Sequence, residues 1–148
     1  MKILFVCTGN TCRSSMAEAL ARKISKGLAE NDIEVSSAGT AAWPGDGASR
    51  EAVEALARMG VSLGGHRASR LTAGAVREAD LVLTMTAAHR DYVKSLVPEA
   101  SGKTFTLGEY AGAPGDVPDP IGQPLDKYVE CARMLEDLIT RALRRVRG

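Results

Sequence analysis

Several features that would point to particular classes of protein are scarce in this chain of 148 residues. Its formal net charge is only +1, and because binding to a phosphate backbone needs a basic surface excess, we expect no nucleic acid as its main partner. No apolar run approaches the ~20 residues of a membrane-spanning helix, so no membrane association is expected. Hydrophobic residues make up 45% and charged residues 25% of the chain, as in an ordinary globular protein.

Cysteines and aromatic residues are also few. Three cysteines, two of which (Cys7 and Cys12) share a short loop, do not form the pattern of a disulfide framework and favour a reducing compartment. The apolar run at residues 3–6 is too short for a signal peptide, so we predict a cytoplasmic location. Aromatic residues are 4% of the chain and leave few rings for stacking on a ligand. Since neither a metal-ligand cluster nor a dinucleotide fingerprint is present, we expect no metal and no cofactor.

The chain does contain an alternation of strand and helix patterns. Buried strands are predicted at residues 2–6, 33–37, 81–85 and 104–107, and amphipathic helices at 16–28, 49–59, 72–78, 86–97 and 125–146. Residues 108–124 contain four prolines and four glycines, a composition that predicts an irregular and functional loop. We therefore predict an α/β fold: one doubly wound domain over residues 1–148, with a four-stranded parallel sheet flanked by helices.

The segment from Cys7 to Ser14 carries the strongest functional signal. A glycine-containing loop between a buried strand and a helix turns backbone N–H groups toward one point, where the helix dipole also favours an anion. A thiol in such a field ionises more readily, so Cys7 is predicted to be a thiolate nucleophile. Arg13 is predicted to donate two hydrogen bonds to phosphate oxygens. The predicted phosphate-binding loop consists of Thr8, Gly9, Asn10, Thr11, Cys12, Arg13 and Ser14.

The residues from Cys7 to Ser14 resemble those of the low-molecular-weight protein phosphatases, a branch of the cysteine-dependent phosphatases. Residues 16–18, 37–40, 66–70, 79–85 and 119–120 extend the resemblance along the whole chain. It implies a two-step phosphomonoesterase that uses no metal: Cys7 attacks phosphorus, and water then hydrolyses the thiophosphate. Arg13 and the loop N–H groups would hold the equatorial oxygens. Ser14 would keep Cys7 ionised, and Asn10 would brace the loop in a left-handed conformation.

Three aspartates of the late loop region, Asp116, Asp119 and Asp126, compete for the role of general acid. We choose Asp119, because Pro118 and Pro120 restrict the backbone on either side and lower the entropy of aiming its carboxyl group. The Asp-Pro acid of the family falls on the same residue.

Thr11 determines the predicted specificity. Tyrosine-specific members of the family usually have an apolar residue at this position and aromatic residues after Asp-Pro, whereas this chain has Thr11 and then Ile121 and Gly122. The sequence Cys-Thr-Gly-Asn-Thr-Cys-Arg resembles the protein-arginine phosphatases instead. We therefore predict hydrolysis of phosphoarginine in phosphorylated proteins, with phosphotyrosine as the alternative. The sequence does not identify an oligomeric state, and a monomer is the working expectation.

Other interpretations concern the remaining cysteines and a histidine. Arsenate reductases of this fold pass oxidation along further cysteines, and none lies between Cys12 and Cys131, which disfavours that activity. A non-catalytic phosphate-binding module is a further alternative. Cys12 either fills the loop as a small buried residue or traps oxidised Cys7 as a disulfide. Cys131 is predicted to be a core residue, and His66 to make a structural hydrogen bond.

Overall fold

A four-stranded parallel sheet forms the centre of the protein. The computed structural model describes residues 1–28 and 32–148. Strands β1 (Lys2–Cys7), β2 (Glu34–Gly39), β3 (Leu81–Thr84) and β4 (Thr104–Thr106) lie in the order β2-β1-β3-β4, and every pairing is parallel. The helices are α1 (Arg13–Gly27), α2 (Arg50–Ala57), α3 (Ala73–Glu78), α4 (Ala87–Leu96), α5 (Leu107–Ala111) and α6 (Leu125–Arg147). The predicted four-stranded parallel sheet flanked by helices is confirmed.

Both faces of the sheet are covered because successive residues of the central strand point to opposite sides. Ile3 and Phe5 of β1 belong to the larger core cluster, which also contains buried residues of α1, α2 and α6. Leu4 and Val6 belong to the second cluster, together with residues of α3 and α4 such as Val93. All four of these β1 side chains are almost fully buried.

The sheet topology creates a crevice at the carboxyl end of β1. Strand β1 lies between β2 and β3, so the connection after β1 leads to one side of it and the connection after β2 leads to the other. Ligands of open α/β sheets bind at such a point, outside the carboxyl ends of the strands. Cys7, the last residue of β1, pairs with Gly39, the last residue of β2. A Cβ atom on Gly39 would lie 2.4 Å from the Thr8 carbonyl oxygen, so the close approach of these two loops requires glycine.

The structure corrects the prediction for residues 108–124. Their first part is not irregular, because Leu107–Ala111 form helix α5. Thr106 and Glu109 make a reciprocal capping box at its start. This local signal for a helix was missed because the segment is rich in glycine and proline. A 3₁₀ helix at Pro98–Lys103 was likewise not predicted.

The predicted helix at residues 16–28 begins three residues earlier than its apolar pattern. Helix α1 starts at Arg13, because its first turn is built from polar residues of the loop that the apolar period cannot detect. Among the helices of the described residues, none combines the length and the apolar character needed to cross a membrane.

Candidate active site

The loop that follows β1 holds its carbonyl groups outward. The Cys7, Thr8, Asn10 and Thr11 carbonyls accept hydrogen bonds from, respectively, Thr40 N–H, Ala41 N–H, His66 Nε2–H and Ser49 N–H, at 2.9, 2.9, 2.6 and 2.9 Å. In a planar trans peptide the N–H points opposite to the C=O, so the N–H of each following residue faces the inside of the loop. The first N–H groups of α1 also lack intrahelical acceptors. The loop is therefore a concave arrangement of donors suited to an anion.

Cys7 lies at the base of this concave surface. Its Sγ is 2.8 Å from Ser14 Oγ and accepts the Asn10 backbone N–H at 3.3 Å. The Cys7 side chain is buried at the end of β1. Both contacts place hydrogen-bonding groups on the sulfur of the predicted nucleophile.

Asn10 organises the donors around Cys7. It is fully buried, has φ 58°, and its Oδ1 accepts the Ser69 N–H at 2.9 Å, which identifies Nδ2 as the donor group of the amide. That Nδ2 donates to both Ser14 Oγ and Ser37 Oγ at 2.8 Å. Since Ser14 Oγ already accepts from Asn10, its own hydrogen is available for Cys7 Sγ. The left-handed conformation predicted for Asn10 is confirmed.

The hydrogen-bonded chain continues to a carboxylate behind the loop. Ser37 Oγ donates to Glu18 Oε1 at 2.6 Å, and Glu18 also pairs with Arg22 one helical turn later. Glu18 and Ser37 lie in segments that the family resemblance covers, but no role was predicted for them from the sequence. Ser37 contacts Asn10 directly, and Glu18 holds Ser37.

Arg13 connects the loop to the late aspartate. Its buried guanidinium donates from Nη1 to the Val117 carbonyl at 3.0 Å and from Nη2 to Asp119 Oδ2 at 3.4 Å. Asp119 Oδ1 accepts the Ile121 N–H at 3.1 Å, and its side chain is 41% exposed at the mouth of the site. Arg13 and Asp119, which are 106 positions apart in the sequence, therefore meet.

The other two candidate acids lie in different environments. Asp116 accepts the Ala87 N–H at 2.9 Å and so fixes the late loop to the start of α4. Asp126 lies in the first turn of α6, where a carboxylate is stabilised by the helix dipole. Of the three aspartates, Asp119 is the one for which the structure records a contact with Arg13.

The residues around the mouth of the site are small or exposed. Thr11 is half-buried, and its hydroxyl lies 4.0 Å from Cys12 Sγ. Ile121, which follows Asp119-Pro120, is 60% exposed, and Trp43 in the loop after β2 is 78% exposed.

The two remaining cysteines are buried thiols. Burial is the largest cause that raises the pKa of Cys12, which also contacts Ser49 Oγ at 3.9 Å. Burial also raises the pKa of Cys131 to about 12. Cys131 belongs to the larger core cluster, as predicted. All three cysteines are free thiols.

Two histidines contact the loop, and a role was predicted from the sequence for only one of them. The structural hydrogen bond predicted for His66 is its contact with the Asn10 carbonyl. His89 was missed, although its Nε2 lies 2.8 Å from Thr8 Oγ1. The available signal was topological: His89 is in the first turn of the helix after β3, and β3 ends beside β1. Within residues 1–28 and 32–148, no three metal-ligating side chains converge on a common point.

Comparisons with known proteins identify the family. The family model for low molecular weight phosphotyrosine protein phosphatases matches residues 2–147. The protein-arginine-phosphatase of Bacillus subtilis (strain 168) is 43% identical over 148 residues, which cover 99% of this chain and 97% of that protein. A probable low molecular weight protein-tyrosine-phosphatase of Ralstonia nicotianae, EpsP, is 37% identical over 146 residues, 99% of this chain and 96% of that protein.

A solved structure gives the same result. A mutant of the YwlE arginine phosphatase, whose active-site serine is phosphorylated, has a TM-score of 0.95 and 41% identity, with 100% of this chain and 97% of that chain covered. The chain therefore belongs to the low molecular weight phosphotyrosine protein phosphatase family.

Proposed function

We propose that the protein is a cysteine-dependent protein phosphatase that hydrolyses phosphoarginine. The observation that carries the proposal is the position of Cys7 Sγ, within 2.8 Å of Ser14 Oγ and at the base of a loop whose N–H groups face inward. Arg13 and Asp119 meet at the mouth of the same loop. This arrangement supplies a nucleophile, a phosphate cradle and an acid within one site.

In the first proposed step, the Cys7 thiolate attacks phosphorus and the P–N bond of phosphoarginine breaks. Asp119 gives its proton to the leaving guanidine nitrogen, so that arginine departs as the protonated residue. The loop N–H groups and Arg13 hold the equatorial oxygens, on which negative charge is spread in the transition state. The product is a thiophosphate on Cys7.

In the second proposed step, water attacks the thiophosphate. The Asp119 carboxylate now accepts a proton from that water, the S–P bond breaks, and inorganic phosphate and the Cys7 thiolate are released. Ser14 donates a hydrogen bond to the departing sulfur and so stabilises its charge. The related YwlE arginine phosphatase has been captured with a phosphorylated residue in its active site, which supports a covalent intermediate here.

Three features support phosphoarginine as the substrate. Thr11 offers a hydroxyl acceptor to guanidine N–H groups, where an aliphatic side chain would leave them unpaired. After Asp119-Pro120, the exposed Ile121 and Gly122 provide no aromatic wall for a phenyl ring. Relatives with 43% and 44% identity are protein-arginine-phosphatases. The proposed substrates are phosphorylated proteins, and since the reaction needs a reduced Cys7, we place it in the cytoplasm.

The test is a pair of assays on peptides of one sequence that carry either phosphoarginine or phosphotyrosine. We expect the higher kcat/KM for phosphoarginine. A higher value for phosphotyrosine would overturn the proposed specificity and favour the second function, a low-molecular-weight protein-tyrosine phosphatase, which the 37% identical EpsP represents.

A variant separates catalysis from simple binding. Cys7→Ser should bind the phosphoarginine peptide but release no phosphate under the same conditions. If the parent protein also releases no phosphate from either peptide while both proteins bind equally, the site is a phosphate-binding module and not an enzyme.

A further inference from the structure

His89 forms a buried bridge between helix α4 and the phosphate-binding loop. His89 is 7% exposed. On one side Nε2 lies 2.8 Å from Thr8 Oγ1, and on the other Nδ1 lies 2.9 Å from Thr86 Oγ1. Thr86 is the N-cap of α4 and also accepts the His89 backbone N–H at 3.2 Å. The ring is therefore held at both nitrogens.

The contacts of Thr86 are compatible with a ring proton on Nε2. Burial, and to a smaller extent the Arg13 charge, lower the pKa of His89, and Asp116 and Asp119 act in the opposite direction with smaller effect. A neutral ring has one N–H and one acceptor nitrogen. Thr86 Oγ1 accepts the His89 backbone N–H. In the tautomer in which it donates its own hydrogen to Nδ1, both the donor and an acceptor site of the hydroxyl are used, and Nε2–H donates to Thr8 Oγ1.

This arrangement determines what the Thr8 hydroxyl can do. Thr8 directly follows Cys7 and is exposed. In the Nε2–H tautomer, the Thr8 oxygen accepts from His89, and its own hydrogen is available to a group other than His89. Arg13 and Asp119 are both close enough to His89 for their charges to act on its pKa.

We propose that His89 is a positioning residue: it holds Thr8 so that the Thr8 hydroxyl donates a hydrogen bond to the phosphoryl group during the reaction. The proposal rests on the phosphatase function proposed above. It does not depend on the leaving group, since the phosphoryl group is common to phosphoarginine and to aryl phosphates. The Thr8 hydroxyl would thus add a side-chain donor to the backbone donors of the loop. The first turn of α4, which already binds Asp116 through the Ala87 N–H, would also position Thr8.

The test compares Thr8→Val, His89→Ala, His89→Gln and the double variant Thr8→Val/His89→Ala. Each single loss of the bridge should lower kcat/KM about 10-fold, the effect of one hydrogen bond to a charged group, on a phosphoarginine peptide and on p-nitrophenyl phosphate alike. His89→Gln can place an amide N–H near Nε2 and should recover most of the activity. The double variant should be no worse than either single variant, because both remove the same interaction.

Further measurements distinguish positioning from a merely structural role. Thermal unfolding of each variant identifies any loss of folding, and the inhibition constant of inorganic phosphate should rise in parallel with the loss of kcat/KM. Nitrogen NMR of the histidine rings in the intact protein should show His89 as the Nε2–H tautomer. Full activity of Thr8→Val, additive losses in the double variant, or an Nδ1–H tautomer would each overturn the proposal. If the parent hydrolyses neither substrate, the proposed function fails, and the NMR tautomer together with direct titration of each variant with inorganic phosphate still decides whether His89 positions Thr8.

Discussion

Arg13 Nη2 lies 3.4 Å from Asp119 Oδ2, and the same guanidinium donates from Nη1 to the Val117 carbonyl at 3.0 Å. The proposed phosphate clamp therefore also positions the loop that carries the proposed acid. A phosphoryl group in the site would compete with Asp119 for Nη2, while the Val117 contact keeps the guanidinium in place. We therefore expect that binding of a phosphoryl group to Arg13 releases the Asp119 carboxyl group toward the leaving group.

Asp119→Asn should lower kcat by about 10² to 10⁴, because it removes the proton donor and leaves the phosphate cradle intact. Asp116→Asn is the matched control, since it makes the same charge change on the same loop and keeps an oxygen for the Ala87 N–H. Steady-state kinetics on the phosphoarginine peptide measure both. Equal losses in the two variants would show that loop charge, and not proton donation by Asp119, is responsible.

Thr11→Ile should shift the ratio of kcat/KM for phosphoarginine over phosphotyrosine toward phosphotyrosine by about 10-fold or more. The change removes a hydroxyl partner of the guanidine group and adds apolar surface for a phenyl ring. Thr11→Ser keeps the hydroxyl and should leave the ratio near that of the parent. If Thr11→Ser changes the ratio as much as Thr11→Ile, the hydroxyl does not determine specificity.

Two substitutions at Asn10 separate backbone strain from lost hydrogen bonds. Asn10→Ala and Asn10→Gly both remove the contacts to Ser14, Ser37 and Ser69, so both should lose most activity. Only the alanine variant must also place a Cβ at φ 58°, and it should be less stable than the glycine variant by about 1 kcal/mol. Urea unfolding measures the difference. Equal stabilities would mean that the left-handed conformation stores no strain.

Cys12 either fills the loop as a small buried residue or traps oxidised Cys7 as a disulfide, and the second role predicts an enzyme that recovers from oxidation. Peroxide-inactivated parent protein should regain activity with a dithiol reductant, whereas Cys12→Ser should remain inactive and accumulate sulfinic acid on Cys7. Burial raises the pKa of Cys12, so Cys12 should not be the primary target of peroxide. Mass spectrometry of the oxidised proteins decides the matter: sulfinic acid on Cys7 in the parent, without recovery, would contradict the prediction.

The buried Cys131 thiol should make stability fall at alkaline pH. Its pKa rises from 9.0 in an exposed thiol to about 12 in the folded protein, so above pH 9 the unfolded chain loses this proton and the folded protein keeps it. Between pH 8 and 10 the parent should therefore lose up to about 1.4 kcal/mol more of its unfolding free energy than Cys131→Ala. Urea unfolding at both pH values tests this. Other alkaline titrations occur in both proteins, so an identical pH dependence would show that Cys131 is not responsible.

The sequence determined the architecture and the reactive loop because both depend on local patterns. The alternation of short apolar runs and amphipathic segments predicts a parallel sheet with covered faces, and the loop from Cys7 to Ser14 lies where β1 ends. The stop and start signals of α2 and α4 were equally local, since Ser49 and Thr86 act as N-caps through their own side chains. Helix α5 was not predicted, because the glycine and proline residues around it concealed its capping box.

Tertiary structure alone decided which distant side chains serve the loop. Nothing local in the sequence joins Glu18 and Ser37 to Asn10, Arg13 to Val117, or His89 to Thr8, because these contacts arise where separate strands end at one edge of the sheet. Even Asp119, chosen for its flanking prolines, acquires a partner only when the late loop folds against Arg13. The sequence by itself determined the nucleophile and its cradle, and the convergence of strand ends decided what supports them.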